Sequence, residues 1–260
     1  MVCFVALTAT LLLSGQASGA DLAAIRDCVA ENTPRISSIH NVSIQVKEGG
    51  EDGFRSQVKI LWRKLRSGER RILLRFSAPE DLKDAGVLVN TRPSHRARVH
   101  IYLPGQGNPR SMHSRGELQG FLGRANLGIE ELELLLDPLG GEDIELLREH
   151  QKLDGRPVWV LEEREEEGGD TRYPRKLTFI DHEYCIPVRA EFYDEGVQQK
   201  AMIVDLDTVT RVAESWVPRR LLFRDLIQEA DTELDVTDIE VDAAFSPALL
   251  TVKALPKPSR

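Results

Sequence analysis

Residues 42–79 are dominated by a period of two. In "VSIQVKEG" and then in "FRSQVKILWRKLRSGERRILLRFSAP", apolar and charged residues take turns, and Ser67-Gly68 marks a hairpin turn. Successive side chains of an extended chain point to opposite faces. Val58, Ile60 and Trp62 therefore fall on one side, and Ile72, Leu74 and Phe76 fall together across the hairpin. One apolar and one polar side predict an antiparallel sheet with one wet face. The pattern continues through "AGVLVN" and "ARVHIYLPG", and it returns in "PVWVLEERE", "RKLTFID", "IPVRAEFYD", "QQKAMIVDLDTV", "SWVPRRLLFRDL" and "TELDVTDIEVD". About ten strands follow without the βαβ alternation of a parallel sheet. The expected fold is mainly β (α+β), one large antiparallel sheet curled over two or three short helices.

Two helices are legible. In "DLAAIRDCVAEN" (21–32), Asp21 caps a stripe of Leu22, Ile25 and Val29 that Thr33-Pro34 closes. In "IEELELLLDPLGG" (129–141), Ile129, Leu132 and Leu136 share a face, and Pro138 with Gly140-Gly141 ends it. Between the sheet and this second helix, residues 105–128 are rich in Gly, Arg and Ser with no clear period. They read as a long mobile segment, of the kind that serves as a lid, a binding loop or a disordered connection.

The first twenty residues, "MVCFVALTATLLLSGQASGA", carry an apolar core from Phe4 to Leu13 followed by small residues. This is the pattern of a secretory signal cleaved after Ala20. A membrane span needs ~20 apolar residues, about twice this run. The expected organisation is a signal peptide over residues 1–20, a single β domain over 21–260, and export to an oxidising compartment. With 42 acidic against 34 basic side chains and a formal charge of −8, the chain lacks the dominant cationic face that phosphate binding needs, which argues against a nucleic-acid partner. No heptad or long apolar edge calls for a dimer, so a monomer is expected.

Cys3 leaves with the signal, and Cys28 and Cys185 remain. In an exported chain they are candidates for one disulfide, the alternative being two unrelated buried thiols. A bond would close a loop of more than 150 residues, for which the chain-entropy model gives about 4–5 kcal/mol.

Catalytic chemistry is thin. The sequence has no Gly-x-Ser-x-Gly elbow and no P-loop. His95, His100 and His113 do not form a ligand set, because strand positions five apart face opposite ways. Neither cysteine has a second Cys or His at metal-ligand spacing. Asp181-His182-Glu183 invites an acid–base reading, but it reads more simply as a polar hairpin tip. Arg110, Arg115 and Arg124, set among Met112, Phe121 and Leu122, suit a lid that touches an amphiphile's head group as well as they suit an ordinary loop. No enzyme, cofactor or metal is expected.

Several runs together carry a family likeness: "CVAENTPRISSI", "RILLRFSAPEDLKDAGVLV", "IYLPG", "GFLG", "IDHEYCIPVRAEFYDEG" and "WVPRRLLFRDLIQEADTELDVTDIEVDAAFSP". The chain resembles the LolA-like, outer-membrane lipoprotein-sorting family over roughly residues 22–247. It is nearest to the exported branch that accompanies membrane transporters of the RND superfamily. The resemblance implies a strongly curved, half-open antiparallel β-barrel closed by short helices, with an apolar cavity for acyl chains. It implies a periplasmic, non-enzymatic carrier of a lipid or lipoprotein acyl chain, with an RND-type transporter as a further partner. The alternative it leaves is an interaction or regulatory protein whose concave sheet binds a transporter domain or a sensor polypeptide. The resemblance also implies the Cys28–Cys185 bond, which would pin the first helix to the sheet. One departure stands out: after Phe121-Leu122-Gly123, where the family tends to a Thr-Asp-Phe-like run, this chain reads Arg124-Ala125-Asn126-Leu127-Gly128.

The residues support a cavity independently. A half-closed sheet of this length has more inward-facing apolar side chains than its few helices can cover. An acyl chain contributes ~0.8 kcal/mol per buried CH₂, enough for useful binding without any catalytic group. The candidate lining is Trp62, Leu74, Phe76, Leu88, Tyr102, Phe121 and Leu122.

Overall fold

The alternating runs form strands that join edge to edge. The computed structural model describes residues 21–92, 95–112, 123–140, 143–165 and 171–257. Strands β1 (Ser37–Glu48), β2 (Glu51–Lys64), β3 (Arg70–Ala78), β4 (Gly86–Arg92), β5 (His95–Tyr102) and β6 (Arg110–Met112) make one meander. A second comprises β7 (Ile144–Leu153), β8 (Arg156–Arg164), β9 (Arg175–Asp181), β10 (Pro187–Asp194) and β11 (Val197–Val204). Strands β12 (Val209–Val212) and β13 (Ser215–Pro218) form a separate hairpin, and β14 (Arg220–Asp225) and β15 (Ala230–Val241) return to the main sheet. The main sheet runs β6-β5-β4-β3-β2-β1-β15-β14-β11-β10-β9-β8-β7, and every pairing in it is antiparallel. Strand β15, last in sequence, lies beside β1 and stitches the two meanders together.

Fifteen strands stand among the described residues, thirteen of them in that sheet, against about ten legible in the sequence. The difference lies in short or weakly patterned segments. β6 and β12 have three and four residues, β7 is mostly exposed polar edge, and "SWVPRRLLFRDL" is two strands that part after Pro218. Part of the segment expected to be mobile is a hairpin: β5 turns at residues 103–109 and returns as β6.

The sheet curls. One buried apolar cluster joins Ile60 of β2, Leu74 of β3, Val89 of β4 and Val99 of β5 to Phe192 of β10, Met202 of β11 and Phe223 of β14. Strands this far apart in the sheet share a core only if it wraps. The two ends do not pair, so the sheet stays open between β6 and β7.

The wrapped volume is filled by α2 (Ile129–Leu136). Its Ile129, Leu132, Leu134 and Leu136 are all buried, and so is Glu131. With these five buried and Glu130, Glu133 and Leu135 half-buried, the helix is largely a core element. The other helix, α1 (Leu22–Asn32), starts as its sequence indicates, with the Asp21 carboxylate accepting from the Ala23 N–H at 3.1 Å. Its Ile25 and Val29 pack on Ile144, Leu161 and Ile180 of β7, β8 and β9.

The outer face of β2, β3 and β4 is sealed by the chain's own C-terminal segment. Leu250 and Leu255, both fully buried, pack on Leu61, Leu73 and Leu88. Buried Arg75 ties the segment down by donating to the carbonyls of Leu255 at 2.6 Å and Ala254 at 3.3 Å.

Candidate functional site

Inside the curl lies an apolar cavity of about 140 Å³. His40, Val42 and Ile44 of β1, Ile60 of β2, and Leu74 and Phe76 of β3 supply one wall. Leu234 and Val236 of β15, Leu221 of β14 and Met202 of β11 continue the lining, and Leu132, Leu134, Leu135 and Leu136 of α2 close it. Strand parity explains most of this lining. Leu74 stands opposite Ile60, and Val42 stands opposite Val236, so alternate residues of neighbouring strands face inward together. The exception is β15, where the pairing with β1 skips Thr237 between Asn41–Asp238 and Val42–Val236. This bulge reverses the parity of the strand. Leu234 and Val236 line the cavity before it, and Ile239 and Val241 line it after.

His40 is a polar exception in the lining. Its Nε2 lies 2.8 Å from Ser38 Oγ. Burial, and then the charge of Arg219, push its imidazole down to about 4. At neutral pH the ring is uncharged, which suits an apolar surface.

The candidate lining residues divide among three places. Leu74 and Phe76 line the cavity. Trp62, 2 % exposed, belongs to the same core cluster but faces a second cleft beside α1, of about 670 Å³. Leu88 and Tyr102 do not face inward, a correction to the expected set. Leu88 pairs with Leu73, and Leu73 with Leu61, so pairing carries them all to the outer face, where Tyr102 also packs. The run "GVLVN" is apolar on both faces, and alternation alone cannot orient it. Phe121 and Leu122 lie outside the described residues.

The inner helix is held by charges that the sequence reading missed. Lys200 Nζ lies 2.8 Å from Glu131 Oε1 and donates to the Asn126 carbonyl at 2.8 Å, with both ionic side chains 1 % exposed. Asp225 stands 3.9 Å from the same ammonium. Glu131 also accepts the Gly128 N–H through Oε2 at 2.7 Å, capping α2. The signal was present in the sequence. Lys200 shares strand parity with Met202 and Val204, which are buried in the core, so period two already points the lysine inward. Around the same helix, Thr232 Oγ1 donates to the Ala125 carbonyl at 3.1 Å, Arg124 pairs with Asp81 at 3.2 Å and Arg70 pairs with Asp137.

The tip between β9 and β10 explains the placement of Cys185. The Asp181 carboxylate accepts from Arg156 Nε at 2.7 Å and Nη2 at 2.9 Å, and from the N–H groups of Glu183 and Tyr184. Burial opposes its ionisation, but these hydrogen bonds outweigh it and hold the carboxyl below the usual range. His182 stacks on Trp159 with ring centroids 3.9 Å apart. Asp181 and His182, with the Glu183 carboxylate on Arg156 at 2.9 Å, brace a turn in which Cys185 takes a positive φ of 53°. Cys185 is bonded there to Cys28 of α1, across 157 residues of sequence. The bond fixes α1 beside the cavity, which Val29 and Cys185 both line.

Among the described residues no group of three or more His, Cys, Asp and Glu side chains is placed to hold a metal ion. No helix among them is long and apolar enough to cross a membrane.

A sheet curled around one buried helix over an apolar cavity defines the class of half-open, LolA-like barrels. Solved structures share this fold. A DUF1329 family protein from Desulfovibrio piger is 19 % identical and superposes with a TM-score of 0.78 over 90 % of this chain and 98 % of its own. A domain assigned as an outer membrane lipoprotein-sorting protein from Vibrio parahaemolyticus is 17 % identical, with a TM-score of 0.76 over 89 % of this chain and 96 % of its own. A LolA superfamily protein from Nitrosomonas europaea is 17 % identical, with a TM-score of 0.66 over 88 % of this chain and 96 % of its own. None of the curated proteins compared matches the sequence. A family model whose description reads "-like: Uncharacterized protein" matches residues 68–257, and the chain belongs to that family, with the LolA-like fold.

Proposed function

We propose that this protein is a periplasmic, non-enzymatic carrier that encloses an acyl chain of a lipid or lipoprotein inside the curled sheet. The observation that carries the reading is the cavity itself, whose lining is mostly aliphatic and aromatic, with a neutral histidine and with Asn32, Thr33 and Ser215 as its other polar members. A closed core of this composition would pack to the density of an organic crystal. This one leaves about 140 Å³ unfilled.

That volume is below the ~300 Å³ at the lower end of small-molecule sites, so a long acyl chain requires α2 to shift. The polar anchors of α2 suit such a motion. A buried ion pair contributes little net stability relative to apolar packing, yet it defines a unique closed position. In this account cargo replaces the leucines of α2 against the sheet, and the helix docks again when cargo leaves. An RND-type transporter is the proposed source or recipient of that cargo.

Fluorescence titration with an environment-sensitive fatty acid tests the reading. Saturable uptake is expected at micromolar concentration with one site per chain. The absence of any uptake by folded, cysteine-oxidised protein would contradict it.

A further inference from the structure

The second cleft is as informative as the cavity. It lies against α1 and is lined by Arg26, Arg35, Lys64, Trp62 and the Arg70–Asp137 pair. Asp137 is already engaged by Arg70. Arg26, Arg35 and Lys64 have no carboxylate within ion-pair distance among the described residues, which leaves three uncompensated cations around one opening in a chain whose formal charge is −8. Arg26 Nε, moreover, is shut away from water and has no hydrogen-bond partner. A buried donor without an acceptor is unfavourable, and an anion in the cleft would supply one.

Position gives this charge a meaning. Val29, Thr33 and Pro34 line both the cleft and the apolar cavity, so the two spaces adjoin around the C-terminal end of α1. An apolar chamber beside a cationic opening matches one kind of molecule: a hydrocarbon chain ending in an anion. We propose that Arg26, Arg35 and Lys64 form a head-group site, and that the physiological cargo is an anionic amphiphile whose phosphate or carboxylate sits in the cleft while its chain enters the cavity. The inference rests on the carrier reading and narrows it. Arg26 supplies the orphaned donor, Arg35 and Lys64 the outer charge, and Trp62 an apolar floor beneath the junction of head and tail.

Calorimetric titration of the folded, oxidised protein at pH 7 separates the possibilities, using dodecyl phosphate, dodecanol and inorganic phosphate as probes. The expected result is that dodecyl phosphate binds at least about tenfold more tightly than dodecanol, and that inorganic phosphate alone binds only at millimolar concentration. In a variant carrying Arg26→Gln, Arg35→Gln and Lys64→Gln the two dodecyl probes become equal, while dodecanol affinity stays within about twofold of the parent. Dodecanol binding thus reports that the cavity of the variant is intact. If the neutral variant loses dodecanol as well, the charge-retaining variant Arg26→Lys, Arg35→Lys, Lys64→Arg decides: a retained preference supports the site, and a lost one overturns it. Equal affinities in the parent protein, a preference that survives the neutral substitutions, or micromolar binding of inorganic phosphate by itself would each overturn the head-group site and leave the carrier intact. Failure of the parent protein to bind either dodecyl probe would remove the carrier reading together with the site.

Discussion

Strand β3 shows the same alternating sequence meeting two different fates. Its odd-numbered outer residue Leu73 packs with Leu61 and Leu88 under the chain's own Leu250 and Leu255, with no exposed surface left on either leucine of the tail. Its even-numbered residues Leu74 and Phe76 face the interior, where a helix covers them but leaves a void. The outer face is anchored by hydrocarbon and by arginine hydrogen bonds to backbone carbonyls. The inner face is closed by a helix that adds two ion pairs to its apolar packing. The outer face is filled by packing, whereas the inner face keeps a void under a helix that is pinned by a buried ion pair. The inner residues Ile72, Leu74 and Phe76 of β3 are all apolar, whereas its outer face carries Arg71 and Arg75 beside Leu73, so the two faces differ both in composition and in what covers them.

The largest effect should come from the link that holds α1 beside the inner face. Replacing Cys28 and Cys185 by Ser should lower stability by up to about 5 kcal/mol in the chain-entropy model, read as a lower denaturant midpoint. A change below about 1 kcal/mol would show that α1 is held by packing alone. Next, Lys200→Met leaves Glu131 buried without its cation. Breaking such a pair costs about 3–5 kcal/mol, whereas the double change Lys200→Met, Glu131→Leu should recover most of the loss; equal losses in the two variants would refute the ionic anchor. On the outer face, Leu255→Ala should cost about 2–5 kcal/mol through its cavity while leaving fatty-acid uptake unchanged. Altered uptake would mean that the two faces are coupled.

Acid should act on the inner face through His40. Its folded value of about 4 lies below the ordinary 6.5, so between these two pH values the unfolded chain binds a proton that the folded one refuses. Stability therefore falls as pH drops from 6.5 to 4, by about 3 kcal/mol in all, and His40→Leu should flatten that part of the curve. The lowered carboxyls of Glu69, Glu162 and Asp181 add stability that is present above their ordinary values and is lost at lower pH, as each titrates in the folded state. The smallest effect on stability belongs to Val236→Phe. Growing into the void should cost less than about 1 kcal/mol and still abolish uptake, whereas Leu73→Phe on the filled face should cost about 1–3 kcal/mol by overpacking.

The strands, both helices and the hairpin turn at Ser67-Gly68 were legible because each depends on local pattern. Which face is inner was legible only within a hairpin. Val58, Ile60 and Trp62 share a face with Ile72, Leu74 and Phe76 as the period indicates, and they pair across the hairpin, but the period gives no orientation at β4, whose "GVLVN" is apolar on both sides. The bulge at Thr237 and the pairing of β15 with β1 depend on contacts about 200 residues apart in sequence, which no local period records. The segment "ALLTVKAL" carries no strand or helix signal, so its role as the cover of the outer face could not be read. Lys200 was readable from parity. The trio Arg26, Arg35 and Lys64 was not, because it is assembled from α1, the segment after it and β2.

Native mass spectrometry of the exported, oxidised protein purified without detergent, followed by organic extraction, tests the central claim most directly. A discrete added mass that extracts as lipid, and that Val236→Phe removes, is the predicted outcome. A bare single mass for the parent protein that stays bare after incubation with lipid vesicles would contradict it, and would make the void under α2 a packing defect rather than a site.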